Sequence, residues 1–432
     1  MKKNNPQISI IGFGYIGKVL SAFFLEKRLN ILAIEKNKKT IQNYKINRKI
    51  EIEEKDVQKI LSKNINKIIL KRSNEVFRLS KIIFITVGTP LIDGKPSMKM
   101  IFETLNIIKT KAPKNSNIIL KSTVIPGTTN KILKFLKDNK RDDINLIYSP
   151  ERLAEGSALK DLKCNPIILS SSRVSKLNKI KNFFQKLKVK SILVSNYQTA
   201  EVIKLADNAW IDLNIALGNE IAKYCNKLNI NSLEVIKNAN TLAKGSSFVN
   251  ILNPSIGVGG YCLPKDPLFL EKHAKSLSLN LKLPRLGRKI NDNITNYSLE
   301  IILSLIKNLK IKKPKIIIFG VSFKNNTGDC RNTPIKRLIK LIKKKKLNFE
   351  ACDPLVNQRD YKEVTSLNHN LKLDEINIKN YNVYIFGCSH KEFKKIYFPK
   401  TLKRKIIFDG RNLFEGKSVK DIKRKGYNYI SL

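Results

Sequence analysis

The chain has 432 residues, with 83 Lys or Arg against 35 Asp or Glu, a formal charge of +48 and three histidines. At about 150 residues per domain, that length makes two or three domains, each able to bury its own core. An apolar share of 42% beside 27% charged residues is ordinary globular usage and excludes a disordered, collagen-like or membrane-bundle chain.

The first predicted element is the β-branched run QISII at residues 7–11, which ends in G-F-G-Y-I-G, Gly12 to Gly17. A helical pattern follows through Val19, Leu20, Phe23 and Phe24, then a second apolar strand that ends in Glu35, 18 positions after Gly17. Glycines at this spacing let a backbone approach a pyrophosphate, the helix N-terminus offers N–H groups, and the acid accepts from a ribose diol. Gly12, Gly14, Tyr15, Ile16, Gly17 and Glu35 are therefore candidate dinucleotide contacts. A carboxylate at Glu35 repels a 2′-phosphate, so the expected cofactor is NAD. A tight glycine turn in an unrelated α/β protein is the alternative.

Further strands are predicted at 81–90, 117–127 and 144–153, each ending in a polar or Pro-containing turn. In a parallel sheet those carboxyl ends line the ligand crevice, which makes Thr89, Thr123 and Glu151 candidates. From about 198 to 228 the pattern is helical, with Val202, Ala206, Ala209 and Leu213 as one apolar face and Lys204 and Asn208 on a neighbouring face. Alone, that Lys–Asn spacing reads as a solvated surface pair. Proline and glycine gather between Asn253 and Pro267, and strands resume at 315–323, followed by a helix at about 334–346. The C-terminal third reads as a second doubly wound region, so the fold class is α/β with two lobes and a long helical connector.

The segment NPSIGVGGYCLPKDP, residues 253–267, places Cys262 among Gly259, Gly260 and Pro264 with Lys265 and Asp266 after it. A cation near a thiol favours thiolate and makes a usable nucleophile, while a buried structural cysteine is the plain alternative. The six cysteines contain no C-x-x-C pair and no Cys/His set at zinc spacing, so reduced thiols, no metal and a cytoplasmic location are expected. The N-terminal run is broken by three glycines and followed by charge, so neither a secretory leader nor a membrane span is expected. Positive charge is spread along the chain, with one dense run at Lys343 to Lys346 and no nucleic-acid-binding motif. The expectation is an anionic small substrate and no nucleic acid.

In order, the segments IGFGYIG, VGTP, STVIPG, SPERLAEGSALKDL, EVIKLADNAWIDLNIALGNE, GVGGYCLPKD, GVSFKNNTGDCRNTP and FDGRN resemble the UDP-glucose/GDP-mannose dehydrogenase family across essentially the whole chain. The resemblance implies an NAD-binding Rossmann-like domain over 1–197, a central helical dimerisation and catalytic domain over 198–300, and a C-terminal Rossmann-like UDP-sugar domain over 301–432. It implies a homodimer that oxidises a sugar C6 alcohol to the uronate in two NAD-dependent steps, through a Cys262 thiohemiacetal and thioester. Lys204 and Asn208 match positions that stabilise oxygen charge. Thr123, Glu155 and Asp266 match positions that organise water, and Glu151, Arg152 and Leu153 belong to the substrate-contacting motif. Asn253, Gly259 and Lys324 match substrate contacts; Thr89, Thr123, Lys265 and Arg331 match the cofactor side.

Two positions depart from the family pattern. Glu35 stands where Asp is usual, which lengthens the carboxylate, and Phe248 stands where an arginine commonly makes a sugar or subunit-crossing contact, with Lys244 as the possible substitute. The wording around Arg152 and along residues 204–217 is closer to the N-acetylhexosamine branch. UDP-N-acetyl-D-mannosamine or UDP-N-acetyl-D-glucosamine is thus the expected substrate, with UDP-glucose as the alternative.

Overall fold

The computed structural model describes residues 5–172, 174–245, 247–402 and 404–432. The chain divides into two compact units: residues 1–207 with 272–278, and residues 208–271 with 279–432.

In the first unit, β1 (Ile8–Ile11), β2 (Ile31–Ile34), β3 (Ile68–Lys71), β4 (Ile82–Ile85), β5 (Asn117–Leu120) and β6 (Asn145–Tyr148) form one sheet. All neighbours are parallel and the order is β3-β2-β1-β4-β5-β6. Both faces are covered, which is why the strands read as continuous apolar runs rather than alternating ones. Ile8, Ile10, Phe84 and Ile119 pack with Phe23 and Phe24 of α1 (Tyr15–Glu26). Ile11, Ile83, Ile85 and Leu120 pack on the other side with Leu105, Ile108 and Ile132. The strand order reverses between β1 and β4, so the ligand crevice of this topology lies beyond their carboxyl ends. The strands expected at 81–90, 117–127 and 144–153 are shorter than expected. Each leaves the ladder after four residues, and the remainder becomes the loops that carry Thr89, Thr123 and Glu151. A further helix of this unit, α2 (Lys55–Lys63), follows Glu54.

The helix α3 (Tyr197–Leu228) continues from the first unit into the second. Its expected apolar face is outward at its start, with Val202 41% exposed and Ala206 exposed, and half-buried at Ala209 and Leu213, whereas Lys204 is 7% exposed and Asn208 5%. Leu205, Asp212, Ala216, Asn219 and Ala222 share the buried side with them. The apolar and buried stripes are interleaved on one helix, and polar groups with partners were available for burial, so hydrophobicity alone assigned the wrong side.

The second unit contains β7 (Ile316–Phe319), β8 (Phe349–Cys352), β9 (Val383–Phe386), β10 (Lys405–Asp409) and β11 (Tyr427–Ser431). They form a parallel sheet in the order β8-β7-β9-β10-β11. One face packs on α4 (Lys282–Asn308) and α5 (Pro334–Lys344) through Ile294, Ile302, Ile335, Leu338 and Ile342. The other face is aromatic, with Phe319 and Phe386 stacked at 5.0 Å beside Phe393 and Phe414. Helix α5 starts sharply because the Thr333 side chain accepts from Ile335 N–H and Pro334 occupies the first turn. Among the described residues no helix is long and apolar enough to cross a membrane.

Candidate active site

The glycine turn of the first unit is built for close backbone approach. Gly12 has φ +97°, and a Cβ there would lie 2.8 Å from the Thr86 and Val87 backbone; at Gly17 it would lie 2.3 Å from the Gly12 carbonyl. A Cβ at Gly14 would meet nothing within 4 Å, so the side facing away from the sheet is open. Gly14 is the N-cap of α1 and no side chain caps the helix, which leaves its first turn for an anion. Glu35 closes the turn: Oε2 accepts from Phe13 N–H at 2.9 Å, and Oε1 accepts from Lys36 and Asn37 N–H at 2.8 and 2.9 Å. Oε2, with one donor, keeps lone-pair capacity for a ribose hydroxyl, so the turn and its acid fit a dinucleotide. Thr86, which the sequence motif does not include, donates to the Gly12 carbonyl at 2.5 Å.

The loops after β4, β5 and β6 hold one another. Thr89 is buried, and its hydroxyl donates to the Thr123 carbonyl at 2.7 Å, which ties the two loops together. Lys121, also missed from sequence, is buried with Nζ 3.2 Å from Glu151 Oε2. Glu151 Oε1 accepts from Arg152 and Leu153 N–H at 2.9 and 3.2 Å, which fixes the S-P-E-R-L turn. Arg152 donates to the Pro166 carbonyl at 2.6 Å. The half-buried Glu155 lies in a different environment, close enough to Tyr15 for its charge to raise the phenol's pKa. The two carboxylates of SPERLAEG thus have distinct surroundings. Lys204, in α3, is buried in this unit.

The second unit assembles the thiol loop. Asn208 Nδ2 donates to Asp266 Oδ2 at 2.5 Å, Lys265 pairs with Asp266 Oδ1, and all three residues are buried. The Lys265 ammonium also lies 4.5 Å from the Phe269 ring centroid and so is committed within this cluster. Lys265 and Asp266 N–H donate to the Cys262 carbonyl at 3.0 and 2.9 Å, which starts the helix Asp266–Ser276. Cys262 itself is exposed. Gly260 N–H donates to the Arg331 carbonyl at 2.9 Å and Asn332 Nδ2 to the Gly260 carbonyl at 3.0 Å. A Cβ at Gly259 would lie 2.4 Å from Phe323 Cβ. The structure therefore brings the 259–262 loop against the Phe323–Asn332 segment, where the Lys324 carbonyl accepts from Ser322 and Thr327 at 3.3 and 3.2 Å. Arg331 forks onto Asp329, with Nε at 2.9–3.0 Å from its oxygens.

Two further features of this unit were not read from sequence. Arg411 donates to the Phe323 and Gly387 carbonyls at 2.9 and 3.2 Å, and burial lowers its pKa. A ladder of asparagines on α3 holds the chain on either side of exposed Asn253. Leu252 N–H donates to Asn214 at 2.7 Å, Ser255 N–H to Asn219 at 2.8 Å, and Asn219 to Asn291 at 2.9 Å. Phe248 and Lys244 lie exposed on the short hairpin of Ala243–Lys244 with Ser247–Phe248.

Two parallel sheets of this order, one of them carrying a dinucleotide turn, define a dinucleotide-binding α/β protein. Residues 6–188, 198–293 and 317–416 match the NAD-binding, central and UDP-binding domains of the UDP-glucose/GDP-mannose dehydrogenase family, and the chain belongs to that family. It is 31% identical over 423 residues to the UDP-N-acetyl-D-mannosamine dehydrogenase of Methanococcus vannielii, covering 95% of this chain and 94% of that relative. A UDP-D-ManNAc dehydrogenase structure from Pyrococcus horikoshii superposes with a TM-score of 0.85 at 26% identity, over 98% of each chain. A UDP-glucose dehydrogenase from Pyrobaculum islandicum gives a TM-score of 0.84 at 19% identity, over 99% of this chain and 98% of that one, which shows the shared fold.

Proposed function

We propose that this protein oxidises the C6 alcohol of a UDP-N-acetylhexosamine, either UDP-N-acetyl-D-mannosamine or UDP-N-acetyl-D-glucosamine, to the uronate, with Cys262 as nucleophile. The observation that carries this reading is the exposed Cys262 on a loop whose carbonyl is anchored by the N–H groups of buried Lys265 and Asp266. The UDP-N-acetyl-D-mannosamine dehydrogenases among its relatives support the choice of sugar.

NAD, held by the Gly12–Gly17 turn and Glu35, supplies the hydride acceptor for each of two oxidations. Between them the Cys262 thiolate adds to the C6 aldehyde, forming a C–S bond, and the former carbonyl oxygen takes a proton. Loss of hydride and of the hydroxyl proton from that thiohemiacetal gives a thioester; water adds, the C–S bond breaks, and the thiol is regenerated with the carboxylate. The balance is one alcohol, two NAD and one water to one carboxylate, two NADH and three protons. Lys204 and Asn208, both buried on α3, stabilise charge on oxygen, where a low local dielectric strengthens a cation and an amide donor. Asp266, fixed by Asn208 and Lys265, organises the hydrolytic water together with Thr123 and one carboxylate of SPERLAEG. Glu151, buried against Lys121, suits that task better than Glu155. Arg152, Leu153, Asn253, Gly259 and Lys324 contact the sugar nucleotide, and Arg331 the cofactor.

The domains are taken as 1–197 for cofactor, 198–300 for dimerisation and catalysis, and 301–432 for UDP-sugar. The working form is a cytoplasmic homodimer, consistent with six cysteines in no disulfide. The test is a panel of UDP-N-acetyl-D-mannosamine, UDP-N-acetyl-D-glucosamine, UDP-glucose and GDP-mannose with NAD, followed by NADH absorbance and mass spectrometry of the sugar. The expected result is two NADH per molecule of one N-acetylhexosamine substrate. A higher kcat/KM for UDP-glucose or GDP-mannose overturns the substrate assignment.

A further inference from the structure

Glu54 immediately precedes α2 as its N-cap residue, yet its side chain makes no capping hydrogen bond to that helix. The helix dipole favours a negative charge at that end, but the carboxylate is turned to other partners. Its Oε1 accepts from the Tyr15 hydroxyl and from Gly156 N–H, the latter at 2.6 Å. These partners are 39 and 102 residues distant in sequence. Tyr15 opens α1 inside the glycine turn, and Gly156 ends the segment that begins at Glu151. Burial, then the hydrogen bond and charge of Glu54, then the charge of Glu155, push the Tyr15 phenol far above its ordinary pKa. It remains a proton donor throughout the working pH range, so this link does not titrate away.

We propose that Glu54 is a positioning residue that ties the dinucleotide turn to the Glu151–Gly156 segment, so that cofactor and sugar nucleotide bind with positive coupling. This rests on the proposed function, and it adds a mechanism of communication within the first unit. The cofactor orders the first turn of α1 and with it Tyr15. A single oxygen shared with Gly156 N–H passes that order to the loop carrying Glu151, Arg152 and Leu153. The second ligand then meets a segment already fixed and loses less conformational entropy on binding. Linkage makes the effect reciprocal.

The test measures, by calorimetry, the Kd of the UDP-N-acetylhexosamine with and without saturating NADH, and the Kd of NADH with and without the sugar nucleotide. In the unmutated protein each ligand should tighten the other by about fivefold or more, the lower end of ordinary coupling energies. Glu54→Ala should bring both ratios to within about twofold of unity while each ligand still binds alone. Glu54→Gln keeps an oxygen acceptor and should restore most of the coupling, and Tyr15→Phe, which keeps the ring, should remove it. Coupling that survives both Glu54→Ala and Tyr15→Phe overturns the inference and leaves the proposed function intact. Equal weakening of both binary affinities with an unchanged ratio also overturns it, since that is the signature of a purely structural role. Failure of the unmutated protein to bind any UDP-N-acetylhexosamine overturns the proposed function, and the coupling with it.

Discussion

Cys262 contributes through two atoms that mutation can separate. Its carbonyl oxygen receives Lys265 and Asp266 N–H, a backbone role that Ala keeps, whereas its thiol is exposed and is the proposed nucleophile. Cys262→Ala should therefore keep the fold and NAD binding but make almost no uronate, with kcat for acid formation falling at least about 10³-fold for loss of a covalent nucleophile. NADH stoichiometry with product mass spectrometry checks this, and undiminished uronate from the variant would reduce Cys262 to a loop residue. The glycine turn and Glu35 were legible as a dinucleotide site because that chemistry is written in local spacing, whereas the loop singled out Cys262 and only the family wording gave it a role. Lys204 and Asn208 were legible from the family wording, but their burial was not. Periodicity ranks residues by hydrophobicity, and the cluster around Asp266 is polar groups satisfying one another. Lys121 and Arg411 went unread for a related reason: their partners, Glu151 and the Phe323 and Gly387 carbonyls, are remote in sequence.

At the scale of elements, short parallel strands end and loops take over, so the site depends on what pins those loops. Glu201, on the first turns of α3 and fully buried, pins the loop that holds Thr123. It accepts from Gly127 N–H at 2.6 Å, Thr129 N–H at 2.8 Å and the Thr129 hydroxyl at 2.6 Å. Burial raises its carboxyl pKa, and those donors offset only part of the rise. It also does for the helix Thr128–Asp138 what its N-cap, Gly127, cannot, since glycine has no side chain to cap with. Glu201→Ala strands two buried donors and one half-buried one and should cost about 3 kcal/mol of stability, with Glu201→Gln recovering part of it. Urea denaturation measures this, and an unchanged midpoint for Glu201→Ala would remove the clamp. Strand existence and order were readable from apolar runs and turn residues, but strand ends were not. Residues such as Ile125 and Leu153 continue the apolar pattern after the backbone has left the ladder.

For the whole molecule, the outward side of α3 leaves apolar side chains unburied in a regular row. Trp210, Leu217 and Tyr224 recur every seven residues and are 52%, 51% and 67% exposed, a stripe that a solvated helix would fill with polar side chains. In a chain of net charge +48, general self-repulsion opposes association, so a dimer needs a local apolar seam strong enough to overcome it. This stripe has the heptad spacing of such a seam. The proposed homodimer should therefore pack through α3, and the chain's single tryptophan, Trp210, reports on it directly. Dilution through the dimer Kd should shift its emission to the red as it meets water, with the molar mass from light scattering halving over the same range. Leu217→Asp places an uncompensated charge in the seam and should yield a folded monomer with red-shifted emission at every concentration. A Leu217→Asp protein that stays dimeric, with Trp210 emission unchanged, would show that association uses another surface.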